Sequence, residues 1–194
     1  MSTLIRVIIT SIISLFMLSC NFSMNLGQGV DGNRNVVNAD RNISNDFDEI
    51  KISQGLDLYI TQSNEVSVSI EADENLHELI MTEVENGVLK IYTTENIRRA
   101  ASKKIMLNIA DISAIKATSG SDVYSTNTIE VDDLKLNTTS GADMKLDVNT
   151  QTLNCHSTSG SDIKITGTTD VLVASATSGS DIDARNLSSE KSNV

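Results

Sequence analysis

Four aspartates recur at nearly equal steps in the second half of the chain, each within a nearly identical motif. The motif, here called TSGxD, reads TSGSDV at 118–123, TSGADM at 139–144 and TSGSDI at both 158–163 and 177–182. If the repeats stack in register, their carboxylates form one column, with neighbours about 4.8 Å apart: Asp122, Asp143, Asp162 and Asp181. Two bare carboxylates at that distance repel by ~1 kcal/mol in water and ~3.5 kcal/mol at an effective dielectric constant of ~20, so something must offset the repulsion.

Three kinds of chemistry could use such a column. Turn N–H groups could donate to the carboxylates while Ser and Thr hydroxyls bridge the repeats, which would make the motif a structural turn. Stacked oxygens could hold calcium, although each repeat offers a single carboxylate. A retaining glycosidase needs two carboxylates roughly 5–5.5 Å apart, and Asp143 and Asp162 with Lys145 and Lys164 are its candidates. Because all repeats look alike, the structural turn is favoured, the four aspartates stay weak metal candidates, and no catalytic residue or cofactor is assigned.

The glycine of each motif has a structural role in this interpretation. Glycine adopts backbone angles that other residues resist, so it suits the corner at which a repeat turns. The predicted turn glycines are Gly120, Gly141, Gly160 and Gly179.

The residues around the motifs predict the fold that positions the aspartates. Aligned repeats place apolar residues in columns, such as Val123, Met144, Ile163 and Ile182 or Leu136, Cys155 and Ala174. Apolar and polar residues alternate with period two, which is typical of half-buried strands. Repeats of about 19 residues predict an all-β, parallel, right-handed β-helix-like solenoid. The absence of proline agrees, because proline cannot donate to a strand ladder.

The segment before the repeats is also predicted to be β-rich, but looser. Residues 47–117 lack the TSGxD motif and still alternate, and Asn86-Gly87 between two such runs predicts a hairpin. Asp73 is expected to cap a single helical turn after it. We therefore predict one all-β domain over 47–194, with repeats from 118. In the fourth repeat, residues 188–194 lack the apolar column that the other repeats have, which predicts a frayed or shortened C-terminal end.

The N-terminus predicts a cellular location. Residues 1–20 combine Arg6 with the apolar stretch 7–18, as a secretory signal does. Met17-Leu18-Ser19-Cys20 resembles a bacterial lipobox, in which Cys20 becomes the lipidated first residue; the alternative is an ordinary cleaved signal. The Asn- and Gly-rich residues 21–46 are predicted to be a flexible tether. These features predict a cell-envelope lipoprotein on the outer membrane, facing the periplasm or the outside.

Charge and cysteine content exclude several functions. The chain has a net charge of −11, and it therefore lacks the basic surface that nucleic acids require. With Cys20 lipidated, Cys155 has no disulfide partner, and its place in an apolar column predicts a core residue rather than a nucleophile. Its neighbour His156 should point to the opposite side of the strand, so a Cys–His dyad is not expected.

Several segments carry a resemblance to a known family. They are the Asn-rich lead-in GNRNVVNADRNISNDFDEIKISQGLDLYITQ, the segment VSVSIEADENLHELIMTEVENGVLKIYT, and the later ATSGSDV motifs. From about Gly32 onward the chain resembles the secreted bacterial family called the putative auto-transporter adhesin, head GIN domain. The family's Gly-Ile-Asn position falls at Gly55-Leu56-Asp57, where two of the three letters differ. The resemblance implies a right-handed β-helix-like fold on a lipoprotein anchor, and it supplies no catalytic residues.

Together these observations predict a non-enzymatic cell-envelope lipoprotein that acts as a binding, adhesion or scaffold module. Its expected partners are the membrane, through the lipid, and an envelope glycan or protein. The alternatives left open are a polysaccharide-active β-helix enzyme and a calcium-stabilised structural domain.

Overall fold

The computed structural model describes residues 29–194. The predicted signal peptide, the lipidation site Cys20 and the beginning of the predicted tether lie outside the described residues. Within them the chain is all β, which confirms the all-β part of the predicted fold. No helix in this part of the chain is long and apolar enough to cross a membrane.

Fifteen strands and one short 3-10 helix follow one another in the described chain. The strands are β1 (Val30–Asp31), β2 (Val36–Arg41), β3 (Phe47–Ile52), β4 (Asp57–Gln62), β5 (Ser67–Asp73), β6 (Ile80–Glu85), β7 (Gly87–Thr93), β8 (Ile97–Arg99), β9 (Lys103–Ile109), β10 (Ala114–Thr118), β11 (Asp122–Ser125), β12 (Ile129–Thr139), β13 (Asp143–Thr158), β14 (Asp162–Thr177) and β15 (Asp181–Asn193), and the 3-10 helix spans Glu74–Leu76.

Thirteen of these strands belong to one sheet, which is nearly closed on itself, while β1 and β8 form a separate pair. The order in the large sheet is β2-β5-β9-β4-β11-β13-β12-β10-β3-β7-β6, and β14 and β15 add beyond β13. The aliphatic core lies inside this sheet and includes Ile50, Leu58, Leu107 and Leu136.

The repeats pair in parallel and in the register that the motifs predict. Leu136 lies opposite Cys155, and Cys155 opposite Ala174; Val123, Met144, Ile163 and Ile182 align in the same way. The first three of these four are at most 2% exposed, whereas Ile182 is only partly buried. A register slip of one residue would turn every apolar side chain outward, so burial fixes this pairing.

One further repeat lies upstream of those recognised in the sequence. Strand β3 pairs in parallel with β10, and β4 pairs with β11, although about 65 residues separate the partners. The turn between β3 and β4 contains Gln54 and Gly55 with φ of 64° and 70°, as in the later turns. The segment S-Q-G-L-D at 53–57 is therefore a diverged copy of the motif, which the sequence analysis did not recognise because its letters differ from TSGxD.

The chain between this copy and the next motif departs from the repeat pattern. Strand β5 pairs antiparallel with β9 and β2, and β6 pairs antiparallel with β7. The predicted hairpin is confirmed, with φ of 53° at Asn86 and 78° at Gly87. The predicted helical turn is a 3-10 turn, and the Asp73 side chain makes no cap hydrogen bond to it.

The structure corrects the predicted tether over part of its length. Strand β2 pairs with β5 along all six of its residues, and β1 pairs with β8. Alternate side chains of β2 are partly buried because the strand covers one end of the sheet. Strand β2 therefore belongs to the large sheet, and β1 to the separate pair. The C-terminal end predicted to be frayed is strand β15, which pairs with β14, although its side chains from 188 onward are exposed.

Cys155 lies in the core, as its column predicted. Burial raises the pKa of its thiol to about 12, and the side chain is 4% exposed. The reactive species of a cysteine is the thiolate. We therefore expect a thiol reagent at mildly alkaline pH to leave Cys155 unmodified in the folded chain and to modify it after unfolding in urea. Peptide mass spectrometry measures both states, and rapid labelling of the folded chain would contradict this placement.

Candidate ligand-binding face

Two consecutive left-handed residues form each motif turn. The glycines Gly120, Gly141, Gly160 and Gly179 have φ of 69°, 70°, 68° and 75°, and the serine before each has φ between 56° and 60°. The turns are joined by a ladder of hydrogen bonds, because Gly120 N–H donates to Ser140 O at 3.2 Å and Gly141 N–H donates to Ser159 O at 3.3 Å. The corner therefore continues the pairing of the strands.

Buried hydroxyls hold the turns from inside. The Ser161 hydroxyl accepts from Thr158 N–H at 3.2 Å and donates to Thr158 O at 2.8 Å, and Ser121 makes the same pair of bonds with Thr118. The hydroxyls of Thr138 and Ser157 also join across repeats at 2.9 Å. The predicted bridging by hydroxyl groups is therefore present.

The motif aspartates form a column, and it has five members rather than four. Asp57 of the diverged copy lies opposite Asp122, and Asp143, Asp162 and Asp181 follow in register. The prediction that turn N–H groups donate hydrogen bonds to these carboxylates is wrong for most of them. In residues 29–194, the only backbone donor to a carboxylate of the column is Asp162 N–H, which bonds to Asp143 Oδ1 at 3.1 Å. The turn N–H groups instead donate to carbonyls of adjacent repeats.

The environment changes along the Asp column. Asp57 and Asp122 are half-buried, whereas Asp143, Asp162 and Asp181 are exposed. Burial raises the pKa of Asp122, the negative charges of Asp57 and Asp143 raise it further, and a hydrogen bond from Tyr124 opposes them. Burial also raises the pKa of Asp57, against the charges of Lys103 and Lys104. The sequence suggested that all members of the column have the same environment, but the structure shows that they do not.

Replacing Asp122 with asparagine should stabilise the chain at neutral pH. Its carboxyl has a raised pKa in the folded state, so ionisation costs stability as pH rises above the unfolded-state value. Removing a like charge from directly opposed positions in a sheet relieves up to about 1 kcal/mol. The variant should melt at a higher temperature at neutral pH, and the difference should shrink in acid. The exposed Asp170→Asn is the control, and equal shifts in both variants would contradict the account.

A second outward row runs beside the Asp column, two residues further along each strand. In register it contains Met106, Tyr59, Tyr124, Lys145, Lys164 and Asp183. The rings of Tyr59 and Tyr124 stack with centroids 5.1 Å apart and an interplanar angle of 23°. Sequence analysis missed this aromatic pair, although a signal exists, since each tyrosine follows a column aspartate by two positions.

We call the outward surface made by these two rows the binding face. A cavity of about 350 Å³ lies between the rows, lined among others by Tyr124, Asp143, Lys145, Asp162 and Lys164. The structure thus brings together the four residues that the sequence offered as candidates for saccharide chemistry. A second cavity of about 260 Å³ continues the face beside Tyr59 and Met106. A larger one, about 710 Å³, lies between the β2–β3 loop and β5, and no member of the column lines it.

The comparisons with known proteins concern the same part of the chain. Residues 46–194 match the family described as "Putative auto-transporter adhesin, head GIN domain". The chain belongs to this family. The predicted resemblance is thereby confirmed, and no match was found among curated proteins.

Solved structures resemble this head GIN domain in fold. A crystal structure of a putative adhesin from Bacteroides fragilis has a TM-score of 0.78 at 21% identity, covering 84% of this chain and 77% of that one. A putative adhesin from Parabacteroides merdae gives 0.69 at 20% identity, with 86% and 80% covered. A structure from Parabacteroides distasonis described as a putative lipid binding protein gives 0.66 at 21%, with 85% and 80% covered.

The described part of the head GIN domain contains no group of three or more His, Cys, Asp or Glu side chains that could hold a metal ion. Stacked repeats supply a single carboxylate each, whereas calcium takes six to eight oxygen ligands. Calcium binding by the Asp column stays a prediction of the sequence. A bound ion must raise the melting midpoint, so melting the chain with calcium and with a chelator tests it.

Proposed function

We propose that this chain is a non-enzymatic binding module of the cell envelope, anchored by a lipid on Cys20, which uses the binding face to hold an envelope glycan. The observation that carries the proposal is the register that places the stacked tyrosines and the two charged rows on one outward surface. Family membership supports a role in adhesion.

The scaffold we infer is a parallel β-helix over the repeats. The 19-residue offset between paired residues of β12, β13 and β14 supports it, as does the ladder of hydrogen bonds through the motif turns. Such stacking repeats the same outward residues at each level, about 4.8 Å apart. A surface of this kind suits a long polymeric ligand that is built from repeating units.

Binding is favoured over catalysis by the chemistry of the face. Aromatic rings provide apolar contact for one side of a sugar ring, and carboxylates and ammonium groups make hydrogen bonds with its hydroxyls. Asp143 and Asp162 are exposed and carry identical neighbours, Lys145 and Lys164. An acid–base pair needs two groups whose environments set them apart, whereas both of these carboxylates are exposed, and the backbone hydrogen bond from Asp162 N–H to Asp143 is exposed as well.

The test is the affinity of the full-length chain for polysaccharide purified from the bacterial envelope. The double variant Tyr59→Ala and Tyr124→Ala should bind about tenfold more weakly or worse, because aromatic side chains carry much of the binding energy of an interface. Tyr92, which lies on β7 and bonds to Glu83, supplies the control Tyr92→Ala. Equal affinity of the wild type and the double variant, or no binding by the wild type, would refute the proposal.

A second candidate function is hydrolysis of a polysaccharide, because Asp57 and Asp122 differ in environment from the rest of the column. Half-buried carboxyls with raised pKa are candidates for a general acid. If this function is correct, new reducing ends should appear when the chain is incubated with the polysaccharide, and Asp122→Asn should abolish them. Binding without release of reducing ends supports the binding module instead.

A further inference from the structure

We propose that the cavity between the two rows of the binding face selects a linear saccharide that carries both amino and carboxylate groups. This inference rests on the proposed function and names the ligand class for the same face. The cavity's walls are Asp143, Asp162 and Asp181 on one side and the row Tyr124, Lys145, Lys164 and Asp183 on the other. We call it the two-walled groove.

The geometry of the strands separates the two walls. Asp143 and Lys145 stand on the same side of β13, as Asp162 and Lys164 do on β14. Residues two apart on a strand lie about 6.6 Å from each other, and their side chains stand roughly perpendicular to the sheet. Over β13 and β14 each wall therefore carries one sign of charge, and the backbone of Met144 and Ile163 lies between the walls. At β15 the lysine wall ends in Asp183, whose carboxylate pairs with Arg185 at 2.8 Å.

The charges on the walls are not neutralised by close ion pairs. Within residues 29–194, neither Lys145 nor Lys164 makes an ion pair or a side-chain hydrogen bond. Like charges instead lie next to each other, Lys145 opposite Lys164 and Asp143 opposite Asp162. Neighbouring like charges repel, so a ligand group of opposite sign lowers the energy of each wall.

A ligand with one sign of charge meets an unfavourable wall. A polyanion would contact the lysines and be repelled by the carboxylates, and the net charge of −11 gives it no long-range attraction. A polycation would be attracted by the net charge and by the carboxylates, but it would be repelled by Lys145 and Lys164 inside the groove. A ligand that carries ammonium and carboxylate groups complements both walls at once.

The shape of the groove favours a saccharide over a peptide. Tyr124 closes one end of the groove, and Tyr59 stacks behind its ring. The groove crosses the strands, so a linear polymer in it would meet an Asp–Lys pair at two consecutive repeats, on β13 and on β14. Backbone N–H and C=O groups of β13 and β14 on the groove floor are occupied in the parallel ladder, so a peptide backbone could add as a strand only at the outer edge of β15, beyond the groove floor.

Four probes test the ligand class with the full-length chain. The zwitterionic probe is a hyaluronan hexasaccharide whose acetyl groups have been removed, so that free amines alternate with carboxylates. Unmodified hyaluronan hexasaccharide is anionic only, chitosan hexasaccharide is cationic only, and a peptide of alternating Glu and Lys carries both charges without sugar rings. Affinities are measured by calorimetry at mildly acidic pH and low salt, where the amines are protonated. We expect the zwitterionic hexasaccharide to bind about tenfold more tightly than the other three.

Variants of each wall assign the binding to the groove. Lys145→Ala with Lys164→Ala, and separately Asp143→Asn with Asp162→Asn, should each remove the preference for the zwitterionic hexasaccharide. The controls are Lys116→Ala with Lys135→Ala and Asp133→Asn with Asp170→Asn, which change equal numbers of exposed charges elsewhere.

The outcomes separate this inference from the proposed function. Equal binding of the singly charged saccharides, tighter binding of the peptide, or wall variants that behave like their controls would overturn the ligand class. Binding of envelope polysaccharide that needs Tyr59 and Tyr124 would leave the proposed function standing in each of these cases. If no saccharide binds and the envelope polysaccharide does not bind either, both are overturned.

Discussion

Replacing Gly167 with alanine should destabilise the fold by about 3 kcal/mol or more, the largest effect we expect from a single methyl group. A Cβ at this position would lie 1.9 Å from the carbonyl oxygen of Val148, and the residue has a φ of 110°. Val148 and Gly167 are opposed in the parallel ladder of β13 and β14. The added carbon can fit only if the strands separate, because the clashing atom is backbone.

A second glycine of the same repeat provides the control. Gly160 has a φ of 68°, and a Cβ there would have no atom within 4 Å. Its replacement by alanine should cost only about 1 kcal/mol, from the left-handed conformation alone. Urea denaturation of Gly167→Ala, Gly160→Ala and the wild type measures the difference. Equal midpoints for the two variants would show that the strands do not approach each other at Val148 as described.

Replacing Asp73 with alanine should cost about 3 kcal/mol. The carboxylate is fully buried and accepts three backbone N–H groups, from Arg34 at 2.8 Å, Ala101 at 2.9 Å and Ser102 at 3.0 Å. It therefore joins the chain before β2 to the chain before β9. Removing it leaves donors without a partner, which is costly for a charge-assisted bond. Asp170→Ala, at an exposed position, is the control in the same denaturation experiment.

The contribution of Asp73 to stability should depend on pH. Burial raises the pKa of its carboxyl, but the N–H groups of Ser102, Arg34 and Ala101 and the charge of Arg34 outweigh burial, so the pKa is lowered overall. A carboxyl with a lowered folded-state pKa stabilises the fold above its unfolded-state pKa of about 3.9, and this contribution is lost as pH falls below it. The stability difference between the wild type and Asp73→Asn should therefore shrink in acid. A difference that grows in acid would contradict this role.

The repeats could be predicted because local spacing reports their register. Identical motifs at steps of 19 residues leave one in-register alignment of the apolar columns, and Leu136, Cys155 and Ala174 pair as that alignment requires. The hairpin at Asn86-Gly87 was predictable for a similar reason, since the two residues that permit its turn are adjacent in the sequence.

The rest of the fold depends on contacts between distant residues, and these contacts produce no regular spacing in the sequence. The pairing of Ile50 with Ile115 bridges 65 residues, and burial alone selects it. The diverged motif at 53–57 keeps only the glycine and the aspartate, because Gln54 adopts the left-handed conformation that serine adopts elsewhere and Leu56 fills the core in place of a serine. Strand β2 reads as a polar segment because it is an edge strand of the large sheet and exposes every second residue.

The candidate site was predictable in part. The Asp column and the four charged residues of the groove followed from the repeats, whereas Asp57 and the stacked tyrosines required the long-range pairing of β4 with β11. The motif glycines adopt the left-handed turn that the sequence predicted, but the hydrogen bonds of the turn N–H groups go to carbonyls rather than to the aspartates. The aspartates are therefore free to face a ligand.

The most direct test of the binding face is the protection of individual lysines by a bound polysaccharide. The full-length chain is acetylated briefly with and without envelope polysaccharide, and mass spectrometry gives the rate at each lysine. Lys145 and Lys164 lie on the binding face, while Lys116 and Lys135 are exposed on the outward side of β10 and β12. We predict that the polysaccharide slows acetylation of Lys145 and Lys164 and leaves Lys116 and Lys135 unchanged. Protection of Lys116 and Lys135 instead, or of none of the four, would contradict the account.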